Sequence, residues 1–590
     1  MWKKNADLIV LGAMALLFAS KFYFFQFYVG TALQQVMMVG LAWVQGYALG
    51  WLCSPRARAF RKFMMIAGFT LLVLVAIGDR GKLGWSLTTL IALGCFLIAF
   101  SSWFRGAFDH FFDRPTTFGS AEWASLRYIQ KHGLIGLDGI RLGGFPCEDG
   151  LAPLAYTGDR HLLTVAPTRS NKGTSAIIPN LLLYKGSAVV VDPKGENAMI
   201  TRAQRARMGQ EIHVVDPWGI TDGKVQPSRF NPLDWLRLDD PDIAENAMIL
   251  ADALVIPSVN EPFWSDEVRA LFQGVILFVA TDEDEAQDRH LGRVRDLLLL
   301  DGLDLKSLFM RMAASPHHVV ASTGRRSLQK EERLLSNVLS SAQAQTNFLD
   351  SHRVRESLSA SDFSFEDLKL REMTVYLVLP ADRLKTFDRW LRLVIQQAIT
   401  VNARNIELQP EHPILFLLDE MPALGRLTMV EQAFGLMAGF GIQLWGIAQD
   451  LSQLKSIYGD GYEGMIANSG MIQYFGSRDR LTAEYFSALC GVTTVWNLSH
   501  AIARTFGSSS GKDGTSTSSS MSNTQNYAFA QRKLAFPDEL MRLPSGKQLI
   551  FVENHHPIMG TKVRWFEDPG LKTLGRNLRA EQEVRERVDG

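Results

Sequence analysis

The chain has 590 residues, too many for one compact core, so several domains are expected. Basic and acidic residues balance at 61 each, so the whole-chain charge gives no case for a nucleic-acid partner, although a local basic surface would be hidden in that sum. The four cysteines (Cys53, Cys95, Cys147 and Cys490) show neither CxxC spacing nor a histidine at metal spacing, which argues against a zinc site or a disulfide framework.

Residues 1–107 are expected to form an α-helical transmembrane region of about four spans, roughly Leu8–Tyr28, Thr31–Cys53, Phe63–Gly78 and Leu83–Phe104. No charged residue occurs from Phe22 to Pro55. The joint between the first two spans is tight, so three spans is the alternative. The loop "SPRARAFRK" carries Arg56, Arg58, Arg61 and Lys62, and Lys3 and Lys4 precede the first span. The positive-inside rule puts these on the cytoplasmic side, together with everything after an even number of spans.

The body then alternates strand and helix signals. "HLLTVA" from His161 is a short apolar strand, followed by a loop and the helical "TSAIIPNLLLY", where Pro179 is expected to end or kink the helix. "GSAVVVD" ends in Asp192 and leads into a helix with a basic outer face, and "EIHVVDPWG" ends in Asp216. Alternation of this kind predicts a parallel sheet with helices on both faces over 108–238, the first part of an α/β domain. Residues 239–371 are helical in period with no convincing strand, which predicts an inserted all-α domain. Strands resume at "MTVYLVLP", "HPILFLLDE", "IQLWGIAQD", "GMIQYFG" and "KQLIFVENH", giving a second part over 372–573. The Ser-rich tract 507–523 cannot bury a core and is expected to be a flexible loop. Residues 574–590 read as a charged tail.

The loop after "HLLTVA" resembles a phosphate cradle without its usual spelling. The pattern G-x-x-x-x-G-K-[ST] meets Ala166, Asn171 and Gly173 at three of its fixed positions, and only Lys172 matches. The physical requirement is looser: inward N–H groups, a helix N-terminus behind them and a lysine that reaches the β/γ-phosphates. Asn171 tolerates a left-handed backbone, Gly173 leaves space, and Thr174 or Ser175 supplies a hydroxyl for magnesium. The strand before "DEMP" delivers Asp419 to hold magnesium and Glu420 to activate water, while Gln449 ends the next strand beside the phosphates. A nucleoside triphosphate with Mg2+ is therefore the expected ligand, and the resemblance below implies ATP. His555 and His556 are expected to be structural.

"PTRSNKGT", "VVVDPKGE", "FNPLD", "LLDEMPALGRL", "GIAQDLSQLKSIYG" and "FGSRDRLTAEYFSALCG" together resemble the type IV secretion coupling proteins, the TraG/TraD family of conjugative ATPases, from about Phe118 to Val563. The resemblance implies an α/β fold, a RecA-like P-loop ATPase domain interrupted by an all-α domain, assembled as a homo-hexamer at the bacterial inner membrane. It implies ATP-driven transfer of a relaxase–single-stranded DNA complex into a type IV secretion channel, with the channel's ATPase components as further partners. Protein effectors as cargo, or a non-hydrolysing scaffold, are the alternatives. By motif match it assigns Thr168, Arg169, Ser170, Asn171, Lys172, Gly173, Thr174 and Ser175 to the phosphates, with Asp192 and Lys194 nearby. Asp419 and Thr174 fall to magnesium, and Glu420 and Gln449 to hydrolysis. Where the family usually reads "TRSGKG" this chain has Asn171. The arginine that some relatives place before the sensor strand is missing from "LMAGFG", which leaves Arg426, or else Arg478, to act on a neighbouring subunit's nucleotide.

Overall fold

The computed structural model describes residues 42–47, 119–221, 226–256, 262–511 and 514–576. The four expected spans lie outside these residues, apart from a helical stretch at 42–47. Among the described residues no helix is long and apolar enough to cross a membrane. The charged tail also lies outside them beyond Arg576. The chain divides into two compact units, one holding residues 121–492 and 533 onward, the other residues 493–532 with the chain up to Ser120.

The larger unit is built on an eleven-stranded sheet. In chain order its strands are β1 (Ile140–Cys147), β2 (Gly150–Tyr156), β3 (His161–Val165), β4 (Ala188–Asp192), β5 (Glu211–Val215), β6 (Met373–Val378), β7 (Ile414–Leu418), β8 (Ile442–Ala448), β9 (Ser469–Tyr474), β12 (Lys547–Val552) and β13 (Ile558–Thr561). The spatial order is β2-β1-β13-β12-β9-β3-β8-β7-β4-β6-β5. From β9 to β5 all pairings are parallel, and β12, β13, β1 and β2 extend that sheet antiparallel.

The parallel strands are apolar at nearly every position because helices cover both faces. Alternate residues feed two separate cores. Leu163, Val165, Val191, Phe416, Leu418 and Leu444 belong to one, and Leu162, Val190, Leu415, Leu417, Trp445 and Ile447 to the other. Between β5 and β6 the described residues hold helices and no strand. These helices share the first core, since Phe272, Phe278, Leu308 and Met312 pack in one continuous cluster with the sheet. The helical segment therefore does not separate from the sheet as a compact unit of its own.

Of the two outcomes expected at Pro179, the structure shows distortion and not termination: the helical run continues through it to Leu183, and the stretch just before it, Gly173–Ile177, widens into a π-helical turn. A residue that lacks an N–H and whose ring crowds the preceding turn disturbs a helix on its N-terminal side. Another sequence expectation needs correction. The Ser-rich tract is not a loop in this structure. It lies within a ribbon of two long strands, β10 (Val492–Gly511) and β11 (Gly514–Lys533), which form a sheet of their own in the smaller unit. Strand pairing uses backbone groups and needs no apolar face, so a composition too polar for a core can still pair.

Candidate functional site

The carboxyl ends of β3, β8, β7 and β4 lie side by side, where open α/β sheets bind ligands. β3 runs into the loop Ala166–Lys172, and the π-helical turn Gly173–Ile177 follows. Asn171 is left-handed (φ 71°), as is Arg169 (φ 62°). Lys172 is right-handed (φ −55°, ψ −48°). A left-handed residue followed by a right-handed one turns successive N–H groups to one side, an anion-binding nest. A Cβ at Gly173 would meet nothing within 4 Å, so this glycine opens onto free space. The hydroxyls of Ser175 and Thr174 both donate to the Asn171 carbonyl, at 2.6 and 3.3 Å, so each oxygen keeps its lone pairs as an acceptor. Thr168 and Arg169 are exposed at the tip, and Ser170 is half-buried.

Asp419 and Glu420 follow directly on β7. Lys172 Nζ stands 2.8 Å from Asp419 Oδ1 and donates to Glu420 Oε1. Gln449, at the end of β8, donates from Nε2 to Glu420 Oε2 at 3.2 Å. One lysine, two carboxylates and one amide from three adjacent strand ends thus form a closed cluster. Burial works to discharge Lys172, but the Asp419 and Glu420 carboxylates outweigh it and hold the ammonium above its ordinary range. Burial also pushes Asp419 up, against the pull of Lys172. Glu420 is left-handed (φ 60°), an uncommon state for a residue with a side chain. The turn after it, Met421–Leu424, packs against β8 because Gly446 has no side chain: a Cβ there would lie 2.9 Å from Met421 Sδ.

Asp192 and Lys194 hold different positions. Asp192 is 1 % exposed, and its carboxylate accepts from its own loop and helix, Lys194 N at 3.4 Å and Ala198 N at 2.9 Å. Burial pushes it up to about 7. Its Oδ2 thus takes one of the free first-turn N–H groups of the helix Glu196–Arg207, whose N-cap residue is Gly195, and both its oxygens face the backbone; Lys194 is exposed beside it. Arg426 is not brought into the cluster. It is 60 % exposed and pairs with Glu431 at 3.2 Å. Arg478 is exposed just beyond β9. His555 accepts from or donates to the Tyr128 hydroxyl at 3.2 Å, and His556 packs on the same ring at 4.6 Å.

Sequence inspection missed Lys562. This lysine follows β13, is 7 % exposed, and donates to Ser170 O and Phe475 O, each at 3.1 Å. No local pattern marks it; only the fold brings it to the phosphate loop.

Residues 119–587 match the family described as "Type IV secretory system Conjugative DNA transfer". The conjugal transfer protein TraG of Escherichia coli is 28% identical over 500 residues, covering 76% of this chain and 77% of that protein. Protein VirD4 of Agrobacterium fabrum is 28% identical over 437 residues, covering 70% of this chain and 60% of that protein. Among solved structures, the plasmid coupling protein TrwB with a non-hydrolysable ATP analogue superposes with a TM-score of 0.56 at 15% identity, over 75% of this chain and 93% of that one. TrwB with ADP and Mg2+ gives 0.55 over 75% and 94%. At such identity the two structures speak for a shared fold alone. The family match runs over most of the chain and takes in the strand ends that carry the cluster, and this protein belongs to the type IV secretory conjugative DNA-transfer family, the type IV coupling proteins.

Proposed function

We propose that this chain is a membrane-anchored, homo-hexameric ATPase that recruits a relaxase–single-stranded DNA complex and drives it into a type IV secretion channel. The observation that carries the ATPase assignment is the convergence of Lys172, Asp419, Glu420 and Gln449 on one edge of adjacent parallel strands. The family match and the names of the TraG and VirD4 relatives support conjugative transfer. The apolar sequence before Phe104 supports the anchor at the inner membrane. The family resemblance supports the hexamer and the contacts with channel and ATPase components.

Lys172 leaves the two carboxylates for the β/γ-phosphates of ATP, and the nest at Asn171–Gly173 with the loop Thr168–Ser175 receives their oxygens. Asp419 is then a buried carboxylate without its Lys172 countercharge, and Asp419 with the Thr174 or Ser175 hydroxyl, all hard oxygen donors, would hold magnesium, which would neutralise charge on the phosphates. Glu420, released by Lys172, takes the proton of the attacking water. Gln449 keeps Glu420 aimed in the resting state and faces the γ-phosphate when that bond is given up. Arg426, exposed on the turn after Glu420, is the candidate to reach a neighbouring subunit's phosphate, with Arg478 second. Asp192 accepts from the backbone N–H groups of Lys194 and Ala198, holding Lys194 at the edge of the site.

The test is magnesium-dependent ATP hydrolysis by the full-length chain in lipid nanodiscs, with and without single-stranded DNA. Glu420→Gln retains nucleotide and loses turnover by roughly 10²–10⁴-fold, the usual worth of a general base. Lys172→Ala loses nucleotide binding. Equal turnover in wild type and both variants sinks the assignment.

A further inference from the structure

We propose that Lys562 is a positioning residue for the phosphate loop: by gripping the Ser170 carbonyl from inside the protein it aims the Asn171 N–H into the phosphate cradle. This inference rests on the nucleotide-site assignment above and extends it to the far end of the chain.

In a trans peptide the C=O of one residue and the N–H of the next point in opposite directions. Ser170 O faces inward onto Lys562 Nζ at 3.1 Å, so the Asn171 N–H faces away from the protein, on the side where the nest opens. The same ammonium donates to Phe475 O at 3.1 Å and lies 4.3 Å from the centre of the Phe475 ring. Its donors are therefore met by two carbonyls and an aromatic face, and among the described residues by no carboxylate. Burying a lysine without a counter-ion is costly, and burial, with Arg564 second, pulls Lys562 down to about 8. A leucine or methionine would fill this place more cheaply if only packing were needed. Three residues on, Trp565 N donates to Thr174 O at 2.9 Å. The segment Lys562–Trp565 thus holds carbonyls on both sides of Asn171–Gly173, the residues whose N–H groups form the cradle. The family's usual glycine is absent at 171, so the loop depends on outside contacts to stay in its left-handed turn.

The experiment compares Lys562→Met, Lys562→Gln and Lys562→Arg with Lys172→Ala in the full-length chain, reading KM and kcat for ATP and the thermal midpoint without nucleotide. Lys562→Met removes a charge-assisted bond to the loop and raises KM about tenfold, with kcat within about twofold of wild type. Lys562→Arg restores most of the affinity, and Lys562→Gln, which keeps one donor, falls between. If Lys562→Met does not fold, Lys562→Gln carries the test: a raised KM supports the inference and a wild-type KM overturns it. Lys172→Ala separates the two levels. Should it hydrolyse ATP like wild type, the nucleotide site itself is misassigned. Should it be dead while folded Lys562 variants keep the wild-type KM, only the role of Lys562 falls.

Discussion

Without nucleotide, Lys172 serves as the countercharge for two carboxylates, and this makes a stability prediction independent of catalysis. Its side chain is 15% exposed, and those of Asp419 and Glu420 are 14% and 24% exposed. Removing one partner of a buried pair costs about 3–5 kcal/mol, because the other charge is left uncompensated. The partial exposure here places Lys172→Met near the lower end, about 3 kcal/mol. In that variant Asp419 and Glu420 repel each other. Glu420→Gln then removes the repulsion, so the double variant is less unstable than the sum of the singles by about 1–2 kcal/mol, within the range for contacting residues. Urea unfolding of the purified full-length chain measures the cycle. Magnesium at millimolar concentration supplies the missing positive charge and stabilises Lys172→Met more than wild type. Additivity within about 0.5 kcal/mol, or equal stabilisation by magnesium, would refute the countercharge argument.

Three further outcomes follow from single residues. Asp192 is held at about 7 by burial, above its ordinary 3.8, so the folded state keeps a proton that the unfolded state has lost. Its contribution to stability therefore falls as pH rises from about 4 to about 7, by at most about 1.4 kcal/mol per pH unit. Asp192→Asn flattens that dependence in thermal midpoints taken between these limits, and an unchanged slope means that another group titrates. Asn171→Gly keeps the left-handed turn at no steric cost, so nucleotide titration gives an affinity within about threefold of wild type; a larger loss shows that the amide side chain contacts the ligand. Arg426→Ala breaks an exposed pair worth under about 1 kcal/mol, leaving the thermal midpoint in place. In the assembled protein it lowers kcat and spares ATP affinity, and an unchanged kcat transfers the trans-acting role to Arg478.

The parallel strands were legible because burial on both faces leaves a run of apolar residues that no helix period disguises; "VVVD", "ILFLL" and "LWGIA" each stand where the sequence indicates. The hairpin β1–β2 was not, because "IRLGGFPC" carries two glycines and a proline that read as a loop, and its register shifts between Arg141 and Gly143. The Ser-rich ribbon was missed for a related reason. Composition says what a segment can bury, and the pairing of backbone groups leaves no mark in it. Lys172 and Glu420 are separated by 248 residues, yet each ends or follows an apolar strand, so each could be placed on the same sheet edge before their contact was seen. Lys562 is 392 residues from Ser170 and sits in "GTKVRW", a sequence with nothing to set it apart from a solvated lysine.

The failed spelling of the phosphate loop has the same physical root. A pattern of glycines states residue identity, whereas the backbone requirement is a dihedral angle. Among the described residues, four that are not glycine have positive φ: Arg169, Asn171, Glu420 and Asn554. Three of the four stand in the candidate site. A left-handed residue with a side chain costs roughly 1–2 kcal/mol, which persists only where surrounding contacts hold it. For Glu420 those contacts are Lys172 and Gln449, and for the loop they are Lys562 and the Ser175 hydroxyl on Asn171 O. In the proposed cycle ATP would draw Lys172 off Glu420 and leave Gln449 as the other of these two side-chain contacts on its carboxylate. The turn beyond stays anchored, because the buried Arg392 donates to Leu424 O at 3.2 Å and to Arg426 O at 2.7 Å, so the change at the arrival of the phosphates is confined to the Glu420 side chain and its left-handed backbone.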